Sequence, residues 1–173
     1  MGVKAQTLVD TNQVWNVVEC INFGACGTVA FHFDGDTTIG IYQYKILTLN
    51  TIDGGGGFIY PLAAREDTAN KQVFFYYGNS EYLVYDFSLN SGDNFTTEIN
   101  GCGFQMTVDS VDTVTLLNGE SRKRMYLSNF NFQETWIEGV GSLYGLTYVG
   151  INFCGADIYP ELICFTENDT LKF

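Results

Sequence analysis

"FQMTVDSVDTVTLLNGESRKRMYLSNF", residues 104–130, reads as two strands joined at Asn118-Gly119. Asn-Gly between apolar, alternating runs is a strong short-range hairpin signal, because both residues tolerate the positive φ that a type I′ turn demands. The rhythm continues in both directions. "FIYPLAARE" (58–66) leads through "DTANK" (67–71) into "QVFFYYG" (72–78), a second hairpin, and "NS" (79–80) turns the chain into "EYLVYDFSL" (81–89). Both alternating faces of that last run carry apolar residues, as in a strand covered on two sides. Earlier, the buried-looking run "VWNVVECINFG" (14–24) precedes "TVAFHF" (28–33), which meets "TTIGIYQYKILTLN" (37–50) across the turn sequence "DGD" (34–36). "TIDGGGG" (51–57) is expected to be a flexible turn, since four successive glycines do not hold a strand. "LICFT" (162–166), "END" (167–169) and "TLKF" (170–173) close the chain as a last small hairpin.

One segment breaks the rhythm. "QETWIEGVGSLYG" (133–145) has Gly139, Gly141 and Gly145, which make a long helix costly. An irregular corner is expected, with at most one short helix near 134–144. In it Trp136 and Ile137 plug the end of the fold while Glu134 and Glu138 face water. The fold class expected is all-β: an antiparallel meander of hairpins forming a calycin-like barrel or a tight sandwich. Residues 1–173 form one domain, with 1–13 as an irregular N-terminal arm.

Composition agrees with packed strands: 46% of residues are apolar and 16% charged, with 14 Phe and 11 Tyr. A net charge of −12 argues against nucleic acid, whose phosphates need a Lys/Arg surface, and against anionic membranes. The one basic cluster, Arg122, Lys123 and Arg124, follows the Asn-Gly turn and is expected to be solvated. No apolar run reaches the about 18 residues of a membrane-spanning helix, so no membrane insertion is expected. "MGVKAQTLVD" lacks the apolar stretch of a secretory signal, and Met1-Gly2 is expected to stand in place of a removed one. Five cysteines (20, 26, 102, 154 and 164) without a C-x-x-C pair speak for an oxidising compartment and against metal. Cys154 and Cys164 flank "GADIYPELI", a loop or hairpin that a disulfide could close; the pairing of Cys20, Cys26 and Cys102 stays open.

No catalytic set stands out, so no catalytic residue, cofactor or metal is assigned. His32, the single histidine, shares a strand face with Ala30 and Asp34 and reads as a strand histidine without a catalytic role. "GVGSLYG" is not a nucleophile elbow, since Tyr144 stands where Ser142 would need a glycine two places on. Glu134 and Glu138 flank Trp136, and two carboxylates held about 5 to 10 Å apart hydrolyse glycosides. Trp136, Glu138 and Tyr144 are accordingly the candidate ligand-binding residues, a tryptophan being able to stack on a sugar ring.

Taken in order, "GDTTI" (35–39), "AREDTANKQVFFY" (64–76), "YDFSLNSGD" (85–93), "DSVDTVTLLNGESRKRMYLS" (109–128), "WIEGVGSLYGL" (136–146) and "ELICFTENDTLKF" (161–173) resemble an uncharacterised family of exported β-rich Bacteroidetes proteins. Its members are often marked only by a C-terminal sorting domain of the type IX secretion system. The resemblance covers about residues 14–173 and implies an exported domain, in the periplasm, on the outer surface or outside the cell. It brings no established activity. Residues 1–173 do not include such a sorting domain, and "GIYQYKI" (40–46) departs from the family's Asn-Gly turn. The triplets at Asp36, Asp67, Asp109, Asp112 and Asp169, each followed by Thr or Ser, also resemble the O-glycosylation acceptor of exported Bacteroides proteins, or plain turn chemistry. The function expected is a non-enzymatic binding module for a small ligand or surface glycan. A structural or adhesive surface domain and a carboxylate glycoside hydrolase are the alternatives.

Overall fold

The computed structural model describes residues 7–21, 25–53, 63–99, 102–130, 132–149 and 158–173. All regular structure among them is β. In one sheet β1 (Gln13–Ile21), β2 (Cys26–Ile39), β3 (Tyr42–Asp53), β4 (Ala63–Asp67), β5 (Gln72–Tyr77) and β6 (Ser80–Asp86) follow in chain order. On the other side of β1 lie β12 (Ile158–Glu167) and then β13 (Thr170–Leu171). The second sheet holds β7 (Asn94–Ile99), β8 (Cys102–Thr115), β9 (Ser121–Asn129), β10 (Phe132–Ile137) and β11 (Gly141–Ser142), also in chain order. Every pairing is antiparallel, and only β1 with β12 joins strands distant in sequence. The all-β meander is thus the architecture, with features of both a barrel and a two-sheet sandwich. At one seam the Thr97 hydroxyl donates to the Leu83 carbonyl. At the other, Leu162 N–H donates to Leu143 C=O (2.8 Å) and Leu117 N–H to Lys172 C=O (3.0 Å).

Alternation fills the interior. On β2 Val29, Phe31 and Phe33 are buried, and on β1 Trp15 and Val17 are. Trp15 stands edge-on to Phe33 at 5.7 Å, and Trp136 edge-on to Phe95 at 4.8 Å and Tyr85 at 5.1 Å. Each such pair adds about 0.5–1.5 kcal/mol beyond its area burial. Phe31, Phe33, Phe75, Tyr85, Phe87, Phe95, Tyr148 and Phe165 are among the buried aromatics, and they pack ring against ring.

Several turns differ from expectation. "DGD" is a bulge inside β2: the register with β3 shifts between Phe33 and Asp36, and Gly35 takes φ 81°. The chain reverses later, at Gly40 and Ile41, because the extra residue bends the strand without ending its pairing. Asn118-Gly119 does not form the two-residue turn. Gly119 alone has positive φ (85°) and its N–H donates to Leu116 C=O at 2.9 Å, so the loop is a type I turn closed by a left-handed glycine. The two-residue turn geometry occurs instead at Gly78-Asn79 and Asn168-Asp169, where both residues have positive φ. The glycine turn expected at 51–57 lies outside the described residues from 54 onward.

Arg122 corrects the solvated reading of the basic triplet. It is 5% exposed, paired with Glu120 at 2.5 Å and near Glu167 at 3.8 Å, and Lys172 joins both acids. Glu120 is a neighbour in sequence, but Glu167 and Lys172 come from β12 and the C-terminal residues, which local sequence does not reveal. A disulfide links Cys20 and Cys26, cross-strand neighbours on β1 and β2. Cys164, expected to bridge to Cys154, is a half-buried free thiol contacted by Asn16 Nδ2 at 3.3 Å; Cys154 lies outside the described residues.

Gly145 is the tightest glycine among the described residues. It has φ 112°, and a Cβ there would stand 2.7 Å from Val17 Cγ2 and 2.9 Å from Tyr148 Cδ2. Gly145→Ala is expected to cost about 3 kcal/mol in urea unfolding. Gly92→Ala, also at positive φ but with open space around it, should cost about 1 kcal/mol.

Candidate functional site

The corner after β10 is pinned by two aromatic side chains acting through their polar ends. Ile137 C=O accepts from Val140 N–H (2.9 Å), and Trp15 Nε1 donates to Val140 C=O (2.6 Å). The Tyr85 hydroxyl donates to Leu146 C=O (2.7 Å) and accepts from Ser142 N–H (3.2 Å). Burial pushes the Tyr85 phenol well above its ordinary range, with the Glu134 carboxylate adding to it, so it stays a neutral donor. Gly141 lies directly under that phenol: a Cβ would sit 3.1 Å from the Tyr85 oxygen. No helix forms at 134–144; the segment is a strand end, a turn and the short β11.

The candidate residues fall in three different settings. Trp136 is 0% exposed, under Tyr85, Phe87 and Phe95. Tyr144 is half-buried and stacked on Phe132 at 5.3 Å, its hydroxyl donating to Gln133 C=O. Burial, and then Glu134, raise its phenol above the usual value. Glu138 accepts an ion pair from Lys71 at 2.9 Å. Glu134 does not face water as expected but is 3% exposed, because β10 turns positions 134 and 136 to the same buried side. The two glutamates therefore occupy unlike environments. Ser142 is buried, its Oγ accepting from Tyr144 N–H, and His32 is half-buried on β2 between Val14 and Thr48. Among the described residues no three His, Cys, Asp or Glu side chains group to hold a metal.

Glu138 leads instead to a cleft. Beside its partner Lys71, a solvent-open cavity of about 520 Å³ lies between the turn joining β4 to β5 and the turn following β6. Lys71 C=O accepts from Phe87 N–H (2.9 Å), which ties the two turns together. Lys71 has φ 57°; every other left-handed residue among those described is Gly, Asn or Asp. A lysine held there carries strain of the kind that collects at functional sites. Lys123, from β9, donates to the carbonyls of Phe87 (2.9 Å) and Leu89 (2.5 Å) across the cleft. Burial pushes its ammonium pKa down and Lys71 adds to this, while Glu138, Asp86 and Asp93 oppose it. Asp86 is buried beneath, accepting from Gln72 Nε2, Ser88 N–H and the Ser88 hydroxyl.

A second cleft, of about 220 Å³, adjoins Arg65. There the guanidinium lies between the rings of Tyr42 (4.2 Å) and Phe74 (4.0 Å) and grips Glu81 through two bonds, while the Tyr44 hydroxyl bonds the same carboxylate. Glu66 beside it accepts the N–H groups of Leu8 and Val9, fastening the N-terminal arm. The polar groups that give this cleft its character already hold one another. The Lys71–Lys123 cleft differs in keeping hydrogen-bonding capacity toward solvent.

The chain matches no family model, no curated protein and no solved structure. Of the cleft, sequence reasoning reached only Glu138 at its margin. Lys71 was one letter of a turn, although a lysine where a four-residue turn calls for glycine or asparagine was the available signal. Lys123 looked like one charge in a solvated triplet.

Tyr85→Phe removes the donor to Leu146 C=O and the acceptor for Ser142 N–H, and is expected to cost about 1–3 kcal/mol in urea unfolding. For Glu81, burial raises the carboxyl pKa, but the bonds from Arg65 and Tyr44 and the Arg65 charge together hold it below its usual value. A depressed carboxylate gives stability that is present above the unfolded value, about 4.3, and is lost as pH falls through the folded one. Thermal midpoints followed from pH 7 to pH 3 should fall more steeply for the wild type than for Glu81→Gln.

Proposed function

We propose that this chain is an exported, non-enzymatic binding module that takes a small polar ligand or surface glycan in the Lys71–Lys123 cleft. The observation carrying this reading is the cleft itself: about 520 Å³, within the size range of ligand sites, and set on turns fastened to both sheets. Its walls are predominantly polar, which suits a hydrophilic ligand. The Cys20–Cys26 disulfide supports export, since such bonds persist in oxidising compartments. An aromatic-lined ligand site inside the fold fits less well, because inward aromatics such as Trp15, Phe33, Phe95 and Trp136 pack against one another. A glycosidase pair of Glu134 and Glu138 is disfavoured as well, with one carboxylate buried beside Trp136 and the other engaged by Lys71.

An adhesive surface domain is the second reading, favoured by Ile41 at the tip of the β2–β3 hairpin and by Phe130, both exposed. Thermal-shift screening against soluble glycans and small polar metabolites separates the two. A ligand at a hundredfold its Kd adds about 2.7 kcal/mol, or about 5 to 10 °C in Tm for a chain of this size. A binding module gives such a shift. An adhesin without a small ligand gives none, yet is retained on bacterial or mucosal surfaces.

A further inference from the structure

The hydrogen-bond inventory of the cleft points to a ligand class. An ammonium has three N–H donors. Lys123 spends two, on Phe87 C=O and Leu89 C=O, and among the described residues retains one. Lys71 spends one on Glu138. Three amides line the same cleft, and each has its nitrogen engaged: Asn70 Nδ2 on Asp67 (2.8 Å), Gln72 Nε2 on Asp86 (2.8 Å) and Asn90 Nδ2 on Ser88 C=O (3.2 Å). Their three amide oxygens make no hydrogen bond among the described residues. What the cleft offers is therefore ammonium donors interspersed with amide acceptors.

A hydroxyl group both donates and accepts, so a set of neighbouring hydroxyls satisfies both kinds of wall. A carboxylate or phosphate only accepts and would leave the three amide oxygens facing negative charge. Long-range electrostatics agree: the protein carries a net charge of −12, and Glu138, Asp86 and Asp93 lie close enough behind the cleft to act on Lys123. A cleft with two lysines would ordinarily suggest an anion. Here Glu138 pairs with Lys71, and Glu138, Asp86 and Asp93 offset the charge of Lys123, which donates to two backbone carbonyls. The left-handed backbone at Lys71, with its carbonyl bonded to Phe87 N–H, holds this lysine over the cleft at a conformational cost that a plain surface turn would avoid by using glycine.

We propose that the cleft binds a neutral saccharide, its hydroxyls bridging the ammonium groups of Lys71 and Lys123 to the amide oxygens of Asn70, Gln72 and Asn90. This rests on the binding-module reading and narrows it to one ligand class and one set of contacts.

The test is titration calorimetry of the whole chain with maltohexaose, cellohexaose, mannohexaose and, as an anionic probe, hexagalacturonate. Two variants accompany it. Lys71→Gly removes the ammonium and relieves the left-handed backbone, so the fold is kept. Asn90→Ala removes an amide oxygen at an exposed loop position, and circular dichroism checks both. The expected result is that at least one neutral hexasaccharide binds, that each variant weakens it tenfold or more, and that hexagalacturonate does not compete. Preference for hexagalacturonate overturns the neutral class. Neutral binding untouched by both variants overturns the cleft as the site while the binding-module reading stands. Silence from all four sugars overturns the saccharide proposal; a thermal-shift hit from another compound then preserves the binding reading, and a blank screen removes that as well.

Discussion

The ladder between β1 and β12 runs from Gln13 opposite Glu167 to Ile21 opposite Ile158, and it joins the first strand to the last long one. All other pairings could form within hairpins or between successive strands. This one turns a row of hairpins into an enclosure, and it fixes what the interior contains. Trp15 on β1 meets Phe165 on β12 and Phe33 on β2, and its indole nitrogen reaches across to Val140 in the turn between β10 and β11. The register shifts opposite Asn16 and Val17, where Ile163 is an extra residue on β12, so that Leu162 and Phe165 both stay buried against β1.

The glycine-rich corner depends on the same enclosure. Val140 and Leu146 present carbonyls to Trp15 and Tyr85, so a segment with little regular structure of its own is held by side chains from distant strands. Glycine at 141 and 145 is required by the closeness of Tyr85, Val17 and Tyr148 as much as by positive φ. Immediately beyond it, Glu138 leaves the core and engages Lys71, and that ion pair marks the margin between the packed interior and the open cleft. The stretch that reads most like a site is the structural support of its neighbourhood, while the open polar groups lie on adjacent turns.

The β class and the strand succession were legible because alternation is a local property: Val29, Phe31 and Phe33 announce their face by spacing alone. Turn chemistry was half legible. Asp34-Gly35-Asp36 carries the letters of a turn but works as a bulge, since whether a left-handed glycine reverses a strand or only bends it depends on the partner's register. Burial of charge was not legible. Arg122 meets Glu167 from far along the chain besides its neighbour Glu120, and Glu134 is buried by the side to which β10 turns it. The disulfide lay among open alternatives, because Cys20 and Cys26 meet only once β1 and β2 are aligned. The cleft was least legible of all, being assembled from a hairpin turn, a post-strand turn and a lysine on β9.

The closing ladder also governs the order in which the molecule can assemble. Gln13 and Glu167, in contact in the finished fold, are separated by 154 positions along the chain. Loop-closure entropy rises with that separation and must be met before the contact returns anything. Hairpins such as β5–β6 and β8–β9 need only short closures and are free to form first. The Cys20–Cys26 crosslink similarly presets the β1–β2 pair. On this entropic ground the terminal strand is expected to dock last, on an already formed β1 edge. Until it does, that edge exposes unpaired backbone amides and carbonyls able to recruit a strand from another copy. That single long-range closure, in a fold otherwise built of sequential pairings, is the step at which intermolecular strand exchange competes with folding.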